Sequence, residues 1–190
     1  MYEPLFNYLQ LFRAMSAEEM TEITRHAKYR TILEGETLLE EGRTARELFF
    51  ICEGILKIVK QNTKGNNVTQ FFLKENHFCT ILNSFRNEVA AEESIMAACD
   101  GAVIVIHKDN LLKLYAAIPY LQPLIEGIQQ QTLISKIQVR NSYQGEEASV
   151  RYQKFLTLQP DIALRVPLAD IASYLGVTPQ SLSRIRRTLR

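Results

Sequence analysis

The chain has 190 residues, 46% of them hydrophobic and 23% charged, with a formal net charge of +1; this balance fits one large or two small globular domains and excludes a disordered or fibrous chain. No apolar run approaches the roughly 18 residues of a membrane span, and the start MYEPLFNYLQ lacks the basic opening and apolar core of a signal peptide, so no membrane partner and a cytoplasmic location are expected. Charge is unevenly spread. Of 22 basic and 21 acidic residues, seven and two lie from Ala148 onward, leaving 15 and 19 in residues 1–147, which puts a basic partner surface toward the C-terminal end.

Residues 2–27 read as two short helices, with Ser16 and Glu19 spaced as a capping box at the start of the second. From Lys28 to Lys108 the pattern becomes a series of short β-rich runs: YRTIL, ETLLEEG, ELFFICEG, ILKIVKQ, VTQFFLK, ESIMAAC and AVIVIHK. Turn signals about every ten residues between such runs predict a β-sandwich, barrel or roll. Gly35, Gly42 and Gly54 fall at corners, and residues 62–67 (NTKGNN) make a hairpin tip. Asp109 is placed to cap a helix through about Ala116. A longer helical pattern follows from about Pro119 to Ser142. Within it Leu121, Ile125, Ile128, Thr132, Ser135 and Val139 alternate spacings of four and three, close to a coiled-coil seam. Leu124, Leu133, Ile134 and Ile137 supply a second apolar face for packing on the chain's own β-domain, so the seam is left for a second subunit and a homodimer is expected. Residues 143–147 (YQGEE) read as a hinge, and a further unit starts at Ala148.

Cys52, Cys79 and Cys99 match no metal or redox spacing and read as buried reduced thiols. His26, His77 and His107 are equally scattered, none with a second ligand at metal spacing, so no metal site is expected.

The most specific stretch is Leu168 to Arg190, LADIASYLGVTPQSLSRIRRTLR. Leu168, Ile171, Ala172 and Leu175 share one helical face, and Gly176 ends that helix. Thr178 is an N-cap and Pro179 sits at the first helical position. In the second helix Leu182, Ile185 and Leu189 point inward. Gln180, Ser181, Arg184 and Arg187 lie opposite, flanked by Ser183, Arg186 and Arg190. No acidic residue stands between Gln180 and the end of the sequence, so the arginines cannot neutralise one another's field within the helix. Two helices with a tight turn and a basic outer face are the pattern of a helix-turn-helix that reads duplex DNA.

A roll, a long helix and a helix-turn-helix in that order resemble the Crp/Fnr family of transcription regulators, typified by the cyclic AMP receptor protein and the fumarate and nitrate reduction regulator. The points of resemblance are ILEGETLLEEG (residues 32–42), ELFFICEGILKIV (residues 47–59) and YLGVTPQSLSRIRRTL (residues 174–189), and the last looks like a short-chain branch seen in Bacteroidetes-type bacteria. The resemblance implies an α+β chain: a cyclic-nucleotide-binding-like β-roll (a double-stranded jelly roll) over 1–117, a dimerisation helix over 118–143, and a helix-turn-helix domain over 144–190. Because the sequence reaches Arg190 directly after the second helix, where most relatives continue into a β-hairpin, that domain is expected without a complete wing.

By the same resemblance Gln180, Ser181 and Arg184 are the expected base readers, and Thr178, Ser183, Arg186, Arg187 and Arg190 the expected phosphate contacts. A dimer would then read a near-palindromic operator, with RNA polymerase as a further partner. The family's effector pocket maps to Phe78, Thr80, Arg86, Glu92 and Ser94. Members that bind cyclic AMP carry Phe-Gly-Glu and later an Arg-Ser or Arg-Thr pair. Here Phe78 is followed by Cys79 and Thr80, and residues 91–94 read AEES. Carboxylates where a phosphate needs an arginine make cyclic AMP improbable; the effector's identity stays open and no cofactor is assigned. Residues 1–51 contain no cysteine for an iron-sulfur cluster, and His77 is the one candidate axial ligand for haem near the pocket. The alternative reading is a ligand-binding or protein-docking module without DNA activity. Isolated histidines, and the absence of a nucleophile–base pairing or a phosphate loop, argue against an enzyme.

Overall fold

The computed structural model describes residues 1–63 and 65–188. Ser16 opens the second helix as its sequence predicts. Its hydroxyl accepts from the Glu19 amide and the Glu19 carboxylate accepts from the Ser16 amide, a complete capping box. This helix, α2 (Ala17–His26), and α1 (Glu3–Gln10) precede the strands β1 (Ala27–Ile32), β2 (Thr37–Leu39), β3 (Glu47–Glu53), β4 (Leu56–Gln61) and β5 (Asn67–Leu73). Then come β6 (Phe78–Cys79), α3 (Leu82–Asn87), β7 (Ser94–Ala97) and β8 (Gly101–His107). All seven β-rich runs are strands. Their two companions, β6 and α3, are too short to carry a periodic signal.

The strands form two four-stranded antiparallel sheets, ordered β1-β8-β3-β6 and β2-β7-β4-β5. Phe49, Ile51, Leu56, Ile58, Ile95 and Val103 fill the space between them. Alternate residues of the first sheet, among them Leu48, Phe50, Ile104 and Ile106, point the other way onto a helical layer. Strand β3 is therefore covered on both faces, which is why ELFFICE reads as a continuous apolar run instead of an alternating one.

α4 (Lys108–Ala117) follows β8 directly. Its cap is His107, whose ring nitrogen accepts from the Asp109 amide, and not Asp109 as the sequence suggested. The long helix α5 (Leu121–Ser142) corrects the assignment of its two faces. Leu121, Ile125 and Ile128 of the supposed inter-subunit seam are buried in the roll's helical layer, and Val139 packs on the C-terminal core. Of the four residues assigned to the roll, Leu124 does pack on its helical layer, whereas Leu133, Ile134 and Ile137 are 42%, 41% and 46% exposed. Sequence spacing marked the apolar positions of the helix but held no information on which of them the roll would cover.

The remainder is helical: α6 (Ala148–Leu158), α7 (Pro160–Arg165), α8 (Leu168–Tyr174) and α9 (Pro179–Thr188). These pack around Tyr152, Phe155, Ile162, Ile171, Ala172 and Leu182. The same core contains Ile55 and Phe72 of the roll, so the C-terminal helices sit on the β4–β5 hairpin.

Candidate nucleic-acid interface

The pair α8 and α9 is joined by a turn centred on Gly176, whose φ of +67° suits a residue without a Cβ. The Val177 amide donates back to the Ala172 carbonyl at 2.9 Å, closing the end of α8. Thr178 then caps α9: its Oγ1 accepts from the Ser181 amide at 3.1 Å and donates to the Ser181 hydroxyl at 3.0 Å. Ile171, Ala172, Leu175 and Leu182 are buried, with Leu168 and Ile185 partly so, as their spacing predicts. Leu189 lies outside the described residues.

The opposite face of α9 is open. Gln180, Ser181, Arg184, Arg186 and Arg187 are exposed and Ser183 is half-buried, so the structure brings seven of the eight expected DNA contacts, with Thr178, onto one helix and its cap. Arg190 lies outside the described residues. Residues 148–188 hold two carboxylates, Asp161 and Asp170, and both turn away from α9 toward the roll. Asp170 on α8 receives Lys57 of β4 through both carboxylate oxygens at 2.7 Å, with only 13% and 17% of the two side chains exposed. Asp161 pairs with Lys74. Docking on the roll thus consumes both carboxylates of residues 148–188, and among the described residues no carboxylate pairs with the arginines of α9.

Further contacts hold the same junction. The Thr69 amide donates to Ser173 Oγ at 2.9 Å, and Arg165 grips Glu75 with two bonds of 2.6 and 3.0 Å. Burial of the Glu75 carboxyl opposes its ionisation, yet the Arg165 fork and the Gly54 amide outweigh it and hold its pKa below the usual carboxylate value.

The five residues expected to form an effector pocket sit in different surroundings. Phe78 is buried in the helical-layer core beside Phe50. Thr80 is buried with its hydroxyl donating to the Glu47 carbonyl at 2.9 Å. Arg86 is exposed and 3.9 Å from Glu126 of α5. Glu92 is exposed and bound to Lys60 at 2.8 Å, which keeps its pKa low. Ser94 Oγ accepts from the Glu41 amide. Thr80, Glu92 and Ser94 each have a partner within the protein, which sequence position could not reveal.

Of the thiols only Cys79 is buried; Cys52 and Cys99 are half-buried, and all three are free. Burial pushes Cys52 and Cys79 up to about 11, so both are unreactive neutral thiols at neutral pH. Among the described residues no cluster of three His, Cys, Asp or Glu side chains is arranged to hold a metal, and no helix is long and apolar enough to cross a membrane.

Residues missed by sequence reasoning are the docking pairs and Lys136, which α5 directs toward β5. Lys57 and Asp170 are 113 positions apart, and nothing local in the sequence announces such a pair.

Comparison with known proteins gives the roll and the whole chain separate parallels. A stretch of 74 residues, 39% of the chain, is 31% identical to the potassium channel KOR1 of Oryza sativa subsp. japonica, where it spans 9% of the channel's length. Across 92% of the chain and 91% of the other, the structure resembles the c-di-GMP-responsive global regulator CLP of Xanthomonas campestris, with a TM-score of 0.71 and 13% identity. A regulator of the Crp/Fnr family from Eubacterium rectale matches over 96% of this chain and 87% of its own, with a TM-score of 0.72 and 15% identity. Residues 29–117 match the model of the cyclic nucleotide-binding domain, and the chain as a whole shares its fold with solved Crp/Fnr regulators.

Proposed function

We propose that this protein is a sequence-specific DNA-binding transcription regulator that works as a homodimer. In this reading residues 1–117 form a sensor-like roll, 118–143 the dimerisation helix and 144–190 a helix-turn-helix domain. One observation carries it: α9 buries Leu182 and presents Gln180, Ser181, Arg184, Arg186 and Arg187 to solvent, while Asp161 and Asp170, the two carboxylates of residues 148–188, are bound to roll lysines. A polyanion is the natural partner of such a face.

Gln180, Ser181 and Arg184 serve as base readers, with Arg184 forking onto guanine O6 and N7 and Gln180 pairing with adenine. Ser183, Arg186, Arg187 and Arg190 hold phosphates. Thr178 contributes less directly, because its hydroxyl is engaged in the cap. Two recognition helices related by a two-fold axis would meet half-sites about 34 Å apart, hence a near-palindromic operator. Cyclic AMP fits this reading poorly, since a phosphate at the family's position would face Glu92 or Glu93 where it needs an arginine.

The test is selection of binding sites from random duplex DNA, followed by affinity measurements from 50 to 200 mM salt. A palindromic consensus bound with a steep salt slope, on the order of one log unit per log unit of salt for each phosphate contact, supports the reading. A protein that enriches no sequence and shows no salt-dependent DNA binding is a docking or ligand-binding module instead.

A further inference from the structure

Between β5, the middle of α5 and the α6–α7 corner lies a cleft of about 170 Å³, walled by Phe71, His77, Ser135, Lys136, Gln159 and Tyr174. Lys136 is half-buried there, its ammonium 5.1 Å from the centre of the Phe71 ring. Among the described residues no carboxylate pairs with it. Burial draws its pKa down, and the one ionisable group that favours its charge is Cys79, a thiol kept neutral by its own burial. The neighbouring His77 supplies no counter-charge, since burial and the nearby Lys136 and Lys74 disfavour its own charged form. Asp161, at the rim, is already bound to Lys74.

Holding an ammonium in such a place without an anion is unfavourable, because desolvation is not repaid by pairing, and a four-carbon stem could instead carry the charge out to water. The ring of Phe71 returns only part of that cost. The cleft therefore contains one charge fewer than its chemistry calls for.

We propose that this cleft binds a small organic oxyanion, a carboxylate or a phosphate monoester, with Lys136 as its charge partner and the Ser135 hydroxyl as a donor. Its size sets the class. A volume of about 170 Å³ is below the roughly 300–1,000 Å³ of sites for drug-sized ligands, which favours a small metabolite with a compact apolar body over a nucleotide. The walls come from the roll, the long helix and the C-terminal helices, so an occupant touches all three and favours the arrangement in which they are held together. The site stands independently of the DNA-binding reading.

The experiment is thermal unfolding of the full chain, with inorganic phosphate or benzoate replacing chloride at constant ionic strength. Phosphate stabilises proteins generally by exclusion from their surfaces, so the decisive quantity is the difference between wild type and Lys136→Met. Wild type should gain about 2–4 °C more than the variant at saturating anion with at least one probe. Lys136→Gln, a second neutral variant that keeps a polar head, should lose the same increment, whereas Lys74→Gln should keep most of it. The proposal is overturned if the Lys136 variants gain as much as wild type, or if neither probe raises the melting temperature of wild type.

Discussion

At the scale of single residues, His77 and the α9 arginines give the sharpest expectations. His77 sits at the β5–β6 turn with Nδ1 at 3.0 Å from the Glu75 carbonyl and 3.2 Å from that of Lys74, so Nδ1 carries the proton and donates. Those carbonyls favour the imidazolium, but burial disfavours it more strongly and Lys136 adds repulsion, so the pKa falls below 6.5. The native state then binds fewer protons than the unfolded chain between the folded value and 6.5. Stability is lost as the pH drops from about 6.5 through that window, and the loss levels off below it. Urea midpoints measured from pH 8 to pH 5 should fall for wild type and fall less for His77→Gln; parallel curves would remove His77 as a source of acid sensitivity. On α9, Arg184→Ala should cost roughly 1–3 kcal/mol on the best operator and relax preference at one base pair. Arg187→Ala should weaken all sequences alike and make the salt slope shallower by about one. Repeating the site selection with the Arg184→Ala protein checks the first; an unchanged consensus would take Arg184 out of the base readers.

At the scale of elements, the junction between α8 and the β4–β5 hairpin is the least local feature of the fold. Asp170→Ala would leave Lys57 without its partner in a site where little of it reaches water, a loss of about 1–3 kcal/mol. The double change Lys57→Met with Asp170→Leu should recover most of it, because the two desolvation costs vanish together. Denaturant unfolding of the three proteins distinguishes this from a surface pair, for which neither single nor double change would matter. A second junction lies where β8 begins: a Cβ on Gly101 would stand 2.2 Å from the Glu53 carbonyl oxygen, against the turn in which Gly54 takes φ of +95°. Gly101→Ala should therefore lower stability by about 1–3 kcal/mol or more, visible as a lower melting temperature. Elements of this kind divide cleanly by legibility. The capping box at Ser16, the seven β-rich runs and the Thr178 cap were readable, because each rests on neighbours within four positions or on a local run of β-branched, aromatic and other apolar residues. The Gly101 contact, the Lys57–Asp170 pair and the satisfaction of Thr80 by the Glu47 carbonyl were not, because each is made by chain segments 33 or more positions apart or by strands brought together in the sheet. The arginine face of α9 was legible for the first reason and the empty charge beside Lys136 was hidden for the second.

At the scale of the whole molecule, the reversed faces of α5 decide what a second subunit would touch. The stripe of Leu121, Ile125 and Ile128 is spent on the chain's own roll, which leaves Leu133, Ile134 and Ile137 as the apolar side chains of α5 that face water in the single chain. These three fall at spacings of one and three, a single patch on the C-terminal half of the helix, just before the hinge that leads to α6. A parallel pairing of two such helices through this patch would set the two C-terminal units side by side, as a two-fold reader of DNA requires. Symmetry counts each side chain twice. Burying one isoleucine contributes roughly 1.5–3 kcal/mol, so a glutamate at position 134 removes that amount from both protomers and places two carboxylates in the same apolar seam. Ile134→Glu with Ile137→Glu should convert a dimer into a monomer in sedimentation velocity at micromolar protein, with circular dichroism unchanged because neither residue belongs to the chain's own core. Operator binding should fall with it, since each monomer would then hold one half-site without the second to retain it. Leu121→Ala is the matched control: buried in the helical layer, it should lower the melting temperature while the folded protein stays dimeric. If the glutamate pair leaves the sedimentation coefficient where it was, the exposed stripe of α5 is not the subunit contact, and the two-fold geometry of the DNA-reading surface would have to come from elsewhere in the chain.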